Sequence, residues 1–566
     1  MDHLRQLSAR YNAVWMETSQ LYETWARRRG LSFYELLVVL SITETEEAVF
    51  QKDICRRFTI PKQTVHAIIK TLADKGWLEL EVSEQDRRSR KLCLTAEGRE
   101  QAAQIVQSLQ EHEARVWLRL EVDRAEQLSI TGILGRSGIK MHIRREFFRY
   151  VIPSMLAFAL SGIYAIADGF FVGNALGDDA LAAVNIAFPL TAFLQAVGTG
   201  IGMGGAIEYA IHAGSKHESR GKQYMGMSIV LLGGCSILFT VLFLLAGPRI
   251  LGAFGASGEI LEYSSEYLRF VSYGAVFQIA GTGLVPFIRN MGGAVTAMAA
   301  MVTGFITNIV LDYLFVWVLP WGMMGAAIAT AIGQAMTFLV CLVFFIVKKH
   351  APSFHFGGEG RSLSSRILGV GLSPFGLTYS PNITLILLNK SAVIFGGTIA
   401  VTCYAPISYI SSVVMLLMQG VSDGSQPLIS LAYGEGKYHI TKTVRNLAYR
   451  FAFGVAAICA VILFLLRGNA AYLFGTSETV AVRVAQILPI FIVGFVFVSV
   501  SRVTTAYFYA MGKNLWAYVL IYGEPLTLCV LLLILPNAMG SVDGTWISVP
   551  LSQIIAMLIS VLLIRK

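Results

Sequence analysis

This sequence has few charged residues, and its cysteines do not follow a metal-binding pattern. Asp, Glu, Lys and Arg make up only 14% of its 566 residues, against 55% hydrophobic residues. The seven cysteines form no CxxC pair and no metal-ligand spacing, which favours reduced packing residues over a metal site. No Walker A pattern is present, which argues against ATP hydrolysis by the chain itself, and we expect no enzymatic activity.

Charge is scarce only after residue 140. Residues 1–140 hold 41 of the 81 charged residues and are nearly neutral, whereas the remainder consists largely of long uncharged runs. We therefore expect a soluble domain over residues 1–140 and a polytopic membrane domain over residues 141–566. The opening segment MDHLRQLSARYNAVW has no apolar signal-peptide core, so the front domain is expected to stay in the cytoplasm.

Twelve apolar segments, spans 1 to 12, follow residue 146, and each is long enough to cross a bilayer as a helix. Their centres are Ala159, Phe193, Ser236, Ala275, Ile306, Ala335, Ile383, Val413, Ala457, Phe495, Leu526 and Met557. Alternate loops differ in charge: HAGSKHESRGKQ and GEGKYHITKTVRN are basic, whereas GNALGDDA and VLPWG carry no Lys or Arg. The positive-inside rule places the basic loops and both chain termini in the cytoplasm.

The two halves of the membrane domain resemble each other. The segment LLAGPRILGAFGASGE, ending at Glu259, matches LLRGNAAYLFGTSE, ending at Glu478, and the other matches keep an offset of 216–221 residues. A six-span unit repeated in one orientation predicts an N-lobe (141–350) and a C-lobe (364–566) related by an axis along the membrane normal. This arrangement is typical of alternating-access transporters, although channels and sensors can also be duplicated.

Three spans carry a polar side chain at the same predicted depth. Asp168 lies nine residues before Gly177, the outer end of span 1, and Asp312 lies eight before Pro320, the outer end of span 5. Thr330 lies eight residues into span 6. A rise of ~1.5 Å per residue puts all three about 12–14 Å below the outer surface.

Asn308 adds an amide one turn deeper than Asp312, on the same face of span 5. Carboxylate, amide and hydroxyl oxygens together suit a hard cation such as Na⁺. Two adjacent carboxylates can instead share a proton, because two like charges repel at close range. A third hypothesis is that each acid only caps or hydrogen-bonds a neighbouring helix.

Pro153 lies fifteen residues before Asp168 in span 1. Because proline removes a backbone hydrogen bond and bends a helix, a hinge is predicted there. Either the bend responds to cation binding or it is a static kink.

Three segments carry a family resemblance: ADGFFVGNALGDDALAAVNIAFPL, NIVLDYLFVW and MQGVSDGSQPLISLAYGEGK. With them, residues 143–566 resemble the multidrug and toxic compound extrusion (MATE) family. The resemblance implies an antiporter of the bacterial cytoplasmic membrane that exchanges Na⁺ or H⁺ for organic compounds, cationic or amphipathic in character, without a cofactor. It places the cation site on Asp168, Asn308, Asp312 and Thr330 and the span-1 proline on Pro153.

The sequence departs from that family in span 11, where Glu524 occupies a region that often holds a basic residue. Arg502 of span 10 lies nine residues from Met511, and Glu524 lies ten from Asn514, so their depths match. We predict a buried Arg502–Glu524 ion pair, because each buried charge needs a partner. A structural role is favoured over a role in coupling or substrate binding.

Residues 30–100 predict a winged helix. Pro61 opens the second helix of a helix–turn–helix and Gly76 closes it. Two strands, WLELEVS and RKLCLT, then flank an arginine-rich loop. The residues expected to contact DNA are Lys62, Gln63, Thr64, His66 and Lys70 of the second helix and Arg87, Arg88 and Arg90 of the wing.

The segment DRRSRKLCLTAEG resembles the wing of MarR-family regulators, and the likeness covers about residues 1–138. It implies binding to double-stranded DNA through residues 1–140 and a homodimer formed by terminal helices. Winged helices also serve as protein-interaction modules. The leading hypothesis is a mainly α-helical chain that exports organic compounds and carries a regulatory domain; the alternative is a membrane-tethered transcription regulator whose transporter-like body senses a ligand.

Overall fold

The computed structural model describes residues 19–20, 22–43, 49–58, 60–82, 90–117, 130–474 and 476–565. Its internal contacts divide the chain into two compact units, Met1–His142 and Ile143–Lys566. Each unit is described by itself below.

The first unit is a winged helix. Its elements are α1 Phe33–Thr43, β1 Val49–Phe50, α2 Gln51–Phe58, α3 Lys62–Asp74, β2 Leu78–Val82, β3 Arg90–Leu94 and α4 Ala96–Trp117. The three strands form an antiparallel sheet in the order β1-β3-β2. Pro61 immediately precedes α3, and Gly76 follows it with a φ of 76°, the left-handed conformation that ends many helices. The predicted helix–turn–helix and wing strands are therefore confirmed.

The apolar residues of α2 and α3 build the core of this domain. Ile54, Val65, Ile68, Ile69 and Leu72 are buried, at the helical spacing of one face. A reciprocal pair begins α1: the Ser32 backbone N–H donates to Glu35 Oε2 at 2.7 Å, and the Glu35 N–H donates to Ser32 Oγ at 3.2 Å. Lys75 Nζ contacts Glu35 Oε1 at 2.9 Å, which ties the end of α3 to the start of α1.

The second unit is a helical membrane domain. Its helices are α5 Ile130–Leu176, of which the residues from Ile143 onward belong to this unit, α6 Asp178–Gly214, α7 Glu218–Ala253, α8 Gly258–Tyr273, α9 Ala275–Asn290, α10 Ala294–Asp312, α11 Gly322–Val347, α12 Gly360–Gly434, α13 Tyr438–Leu466, α14 Glu478–Ala510, α15 Asn514–Met539 and α16 Asp543–Arg565. Ten helices in the described residues are long and apolar enough to cross a membrane, or eleven if the bent pair α8–α9 counts as one span. The chain is therefore a multi-pass membrane protein.

Two of the twelve predicted spans differ from simple helices. Span 4 is broken beside Gly274, at its predicted centre, into α8 and α9, whose axes differ by 58°. Spans 7 and 8 are continuous in α12, which is interrupted only at Gly397, where φ is 65°. Gly397 divides α12 into two arms. The second arm, Ile399–Gly434, is apolar enough to span a membrane, whereas the first arm, residues 360–396, is helical but less apolar.

Glycines allow the two halves of the domain to touch at the backbone. We keep the names N-lobe for α5–α11 and C-lobe for α12–α16. A Cβ atom on Gly371 of α12 would lie 2.4 Å from the Gly200 carbonyl oxygen of α6, and one on Gly204 would lie 2.3 Å from the Ile367 oxygen. No side chain fits at such distances, so these positions require glycine.

Candidate functional site

Asp312 lies at a change of helix type. It is the last residue of α10, and the chain continues as a π-helix over Tyr313–Val318. Short π-helical segments occur often at functional sites, because they widen one turn and redirect the side chains beside it. Asp312 is fully buried, and its Oδ1 has no hydrogen-bond donor among the described residues.

Asn308 joins Asp312 to the neighbouring helix α11. In the amide orientation that satisfies both of its polar atoms, Asn308 Nδ2 donates to Asp312 Oδ2 at 2.9 Å and its oxygen accepts from the Thr330 backbone N–H at 3.0 Å. The Thr330 hydroxyl donates to the Ala326 carbonyl at 3.1 Å. Both Asn308 and Thr330 are buried, so the structure brings these three predicted residues together.

Asp168 of α5 completes the group. Its carboxyl group interacts with that of Asp312 at hydrogen-bond range. Asp168 Oδ1 is shielded from solvent and, like Asp312 Oδ1, finds no donor in the part of the chain that the structure covers. Two carboxyl groups this close require a shared proton or a cation, because two bare charges would repel in a medium of low dielectric constant.

Two tyrosines that sequence reasoning missed also border this group. The hydroxyls of Tyr164 on α5 and Tyr267 on α8 interact with the Thr330 hydroxyl. Tyr164 lies one helical turn before Asp168, a spacing that could have identified it, and its ring stacks on Phe305 at 5.1 Å. Nothing in the sequence indicates Tyr267, because its place depends on how α8 packs.

Other acids and thiols do not enlarge the site. Within the described residues, no group of three or more His, Cys, Asp or Glu side chains could hold a metal ion. The site therefore consists of two carboxyl groups with neutral oxygen and nitrogen neighbours, and we call it the Asp168–Asp312 site.

Pro153 is buried inside α5, and the helix is continuous through it. The segment around it packs against α12, where a Cβ atom on Gly424 would lie 2.6 Å from the Val151 Cα and one on Gly420 would lie 2.4 Å from the Met155 Cα. A hinge at Pro153 stays a prediction.

Arg502 and Glu524 do not make the direct contact that the sequence suggested. The Arg502 charge acts on Glu524 electrostatically, but the described residues contain no salt bridge between them. Arg502 Nη1 donates instead to the Leu377 carbonyl at 3.4 Å. Pro381 explains this contact: it lacks the N–H that would normally bond the carbonyl four residues earlier, which is that of Leu377.

The predicted DNA-contacting residues of α3 lie on one side of the winged helix. Lys62, Gln63, His66 and Lys70 are exposed, and Thr64 is half-buried. Arg90 is exposed at the start of β3, whereas Arg87 and Arg88 lie outside the described residues. The side of α3 that faces away from the domain core therefore consists mainly of exposed polar side chains.

Comparisons with known proteins agree with this architecture. The family model described as MatE matches residues 153–314 and 382–531, and the model of the MarR family matches residues 29–89. The "Multidrug export protein MepA" of Staphylococcus haemolyticus is 23% identical over 406 residues, covering 71% of this chain and 89% of that protein.

Solved structures resemble the membrane domain as a whole. A multidrug resistance MATE family transporter of the MOP superfamily, solved in an outward-facing conformation, is 25% identical with a TM-score of 0.71, covering 75% of this chain and 95% of that one. A MOP superfamily transporter from Pyrococcus furiosus is 26% identical with a TM-score of 0.71 and the same coverage. The chain belongs to the MatE family of multidrug transporters, and it carries a MarR-family domain near its start.

Proposed function

We propose that this protein exports organic cationic or amphipathic compounds across the bacterial cytoplasmic membrane in exchange for a cation that enters through the Asp168–Asp312 site. The observation that carries the proposal is the buried carboxyl pair with an unpartnered oxygen on each acid. Such a pair is stable only when an ion or a proton neutralises part of its charge. Its occupancy therefore biases the conformation of the N-lobe around it.

The hydrogen bonds favour a proton over Na⁺ as the coupling ion. The Asn308 oxygen accepts from the Thr330 N–H, and the Asn308 amide nitrogen, which cannot ligate Na⁺, is the atom that contacts Asp312. The two unpartnered atoms that remain are both carboxylate oxygens. One proton between the two carboxyl groups replaces their repulsion by a hydrogen bond, whereas Na⁺ prefers several oxygen ligands at once.

Dye efflux from proteoliposomes tests this proposal. We expect an imposed pH gradient to drive export of a cationic dye from the side that carries the basic loops, and a Na⁺ gradient at constant pH to leave the dye in place. Efflux driven by a Na⁺ gradient alone would show that the coupling ion is Na⁺ and not a proton. Absence of efflux under both gradients would refute the export function and favour a ligand-sensing transporter body.

For the front domain we propose sequence-specific binding to double-stranded DNA as a homodimer. The exposed side chains of α3 support this, since base contacts from Gln63 and His66 and a phosphate contact from Lys62 fit a helix in the major groove. Selection from random DNA with the full chain and with residues 1–140 tests it. We expect one enriched motif, and a Lys62→Ala variant whose affinity falls less steeply with salt, by about one unit of slope. A failure to enrich any motif would leave a protein-interaction or drug-sensing module.

A further inference from the structure

A buried ion pair joins the two lobes. Arg289, at the end of α9 in the N-lobe, lies with Nη1 3.6 Å from Asp423 Oδ2 on α12 in the C-lobe, and each side chain is only 3% exposed. The same Nη1 donates to the Asp423 backbone carbonyl at 3.3 Å. Gln419 Nε2 and the Tyr509 hydroxyl donate to Asp423 Oδ1 at 2.8 Å and 3.1 Å, so the C-lobe holds this carboxylate in place for the arginine.

A pair of amides lies beside the ion pair. Asn290 Nδ2 donates to Gln426 Oε1 at 2.9 Å, and Gln426 Nε2 donates back to Asn290 Oδ1 at 3.1 Å. Gln426 also donates to Ser430 Oγ at 2.8 Å, and Ser430 donates to the Ala510 carbonyl at 2.7 Å. The contact between the lobes is thus anchored in α14 as well as α12.

A second ion pair joins the lobes at α6 and the first arm of α12. Arg366 Nε lies 2.7 Å from Glu208 Oε1, with side chains 46% and 3% exposed respectively. Each of these contacts has one partner near a helix end that leads to a basic loop, since Asp423 and Gln426 lie eleven and eight residues before the end of α12 at Gly434. Glu208 is six residues before the end of α6 at Gly214, and Arg289 and Asn290 end α9.

We propose that these three contacts between the lobes, which we call the Asp423 latch, close the cytoplasmic end of the substrate pathway and separate once in each transport cycle. This proposal rests on the proposed transport function and on the orientation given by the basic loops. A contact between two lobes that move against each other exists in one of their two arrangements, so its free energy shifts the equilibrium between them. Separation leaves Arg289 and Asp423 buried without an opposite charge unless water enters, which couples opening to hydration of the pathway.

Ser154 is a suitable position for a reporter of opening. It is 3% exposed, its Oγ has no partner among the described residues, and a Cβ atom on Gly424 would lie 3.2 Å from its Cβ. The thiol that a Ser154→Cys substitution introduces is therefore enclosed between the lobes while the latch is closed. Labelling with a membrane-impermeant maleimide in inside-out vesicles, quantified at this position by peptide mass spectrometry, measures opening with the native cysteines left in place.

In the Ser154→Cys background, we expect Asp423→Asn, and the double variant Arg289→Gln with Asp423→Asn, to raise the labelling rate of the introduced thiol about fivefold or more without substrate or ion gradient. Tyr449→Phe is the matched control, because it removes a 2.7 Å hydrogen bond to Thr504 inside the C-lobe; its labelling rate should equal that of the parent. The double variant leaves no stranded charge and should keep the melting temperature of the parent.

A folded double variant that labels at the parent rate would overturn the latch. If neither Asp423 variant folds, the double change Arg366→Gln with Glu208→Gln decides, since it removes both charges of the second ion pair and strands neither. Unchanged labelling in that variant would refute the proposal, and faster labelling would support it. Export and labelling are separate measurements. Export by the parent protein without a labelling response in the variants would refute only the latch. Failure of the parent protein to export would refute the proposed function.

Discussion

Asp312 and Asp423 are both buried carboxylates in the membrane domain, yet their surroundings are opposite. Asp423 receives hydrogen bonds from Gln419 and Tyr509 and a salt bridge from Arg289. Asp312 has an amide contact from Asn308, a second acid opposite, and one oxygen without any donor in the described residues. The first environment stabilises a permanent charge, whereas the second leaves room for a charge that arrives and departs.

The largest expected effect separates these two environments. Asp312→Asn and Asp168→Asn should each reduce gradient-driven dye export to that of empty liposomes, because the remaining carboxyl group has no second acid with which to share a proton. Their melting temperatures should equal or exceed that of the parent, since each change removes a repulsive buried charge. Asp179→Asn, at an exposed position, is the control that should export normally. Export at the parent rate by either folded variant would remove that acid from the mechanism.

Arg502 and Glu524 are an intermediate case, because their charges interact without contact. We expect Arg502→Ala to destabilise the protein more than the double change with Glu524→Ala, with a coupling of about 1 kcal/mol. The remaining cost of Arg502→Ala comes from the Leu377 carbonyl that loses its donor. Thermal unfolding of the two single variants and the double variant measures the coupling, and strict additivity would show that the two charges act independently.

The smallest expected effect is that of a Glu35 substitution on stability, and this effect should depend on pH. Burial acts to raise the pKa of Glu35, but the Ser32 N–H and the Lys75 ammonium outweigh it and hold the pKa below its usual value of 4.5. A lowered pKa in the folded state means that the carboxylate adds stability above pH 4.5 and that this stability is lost as the pH falls through the folded pKa. Glu35→Gln should therefore cost about 1 kcal/mol at pH 7, and the cost should shrink as the pH falls below 4.5. A cost independent of pH would contradict the charged contact.

Counting residues from helix ends was enough to bring Asp168, Asp312 and Thr330 together, because the rise of a helix is fixed. The same counting matched the depths of Arg502 and Glu524 but could not give their contact, which depends on helix rotation and on a carbonyl released by Pro381. The three contacts of the Asp423 latch could not be predicted from the sequence for a further reason. They join residues more than 130 positions apart, and only the packing of two lobes brings them together.

Hydropathy identified the membrane domain and most of its helices, but it treated each apolar run as a straight rod. The chain bends beside Gly274 and at Gly397, where backbone geometry rather than apolarity decides the path. Residues 360–396 illustrate the limit, since a helix that carries Pro374, Pro381 and Lys390 is less apolar than its neighbours and still takes its place in the bundle.

The glycine contact between α6 and α12 has a mechanical consequence. Where the Gly200 and Gly371 backbones touch, neither residue has a side chain that would have to change rotamer, and the nearest side chain is that of Phe375. In the proposed transport cycle this contact would serve as a pivot, because a small angle there becomes a wide displacement at the far ends of helices more than 30 residues long. A Gly371→Ala substitution would push α6 and α12 apart at this contact. It would alter the angle between the lobes without touching any residue of the Asp168–Asp312 site.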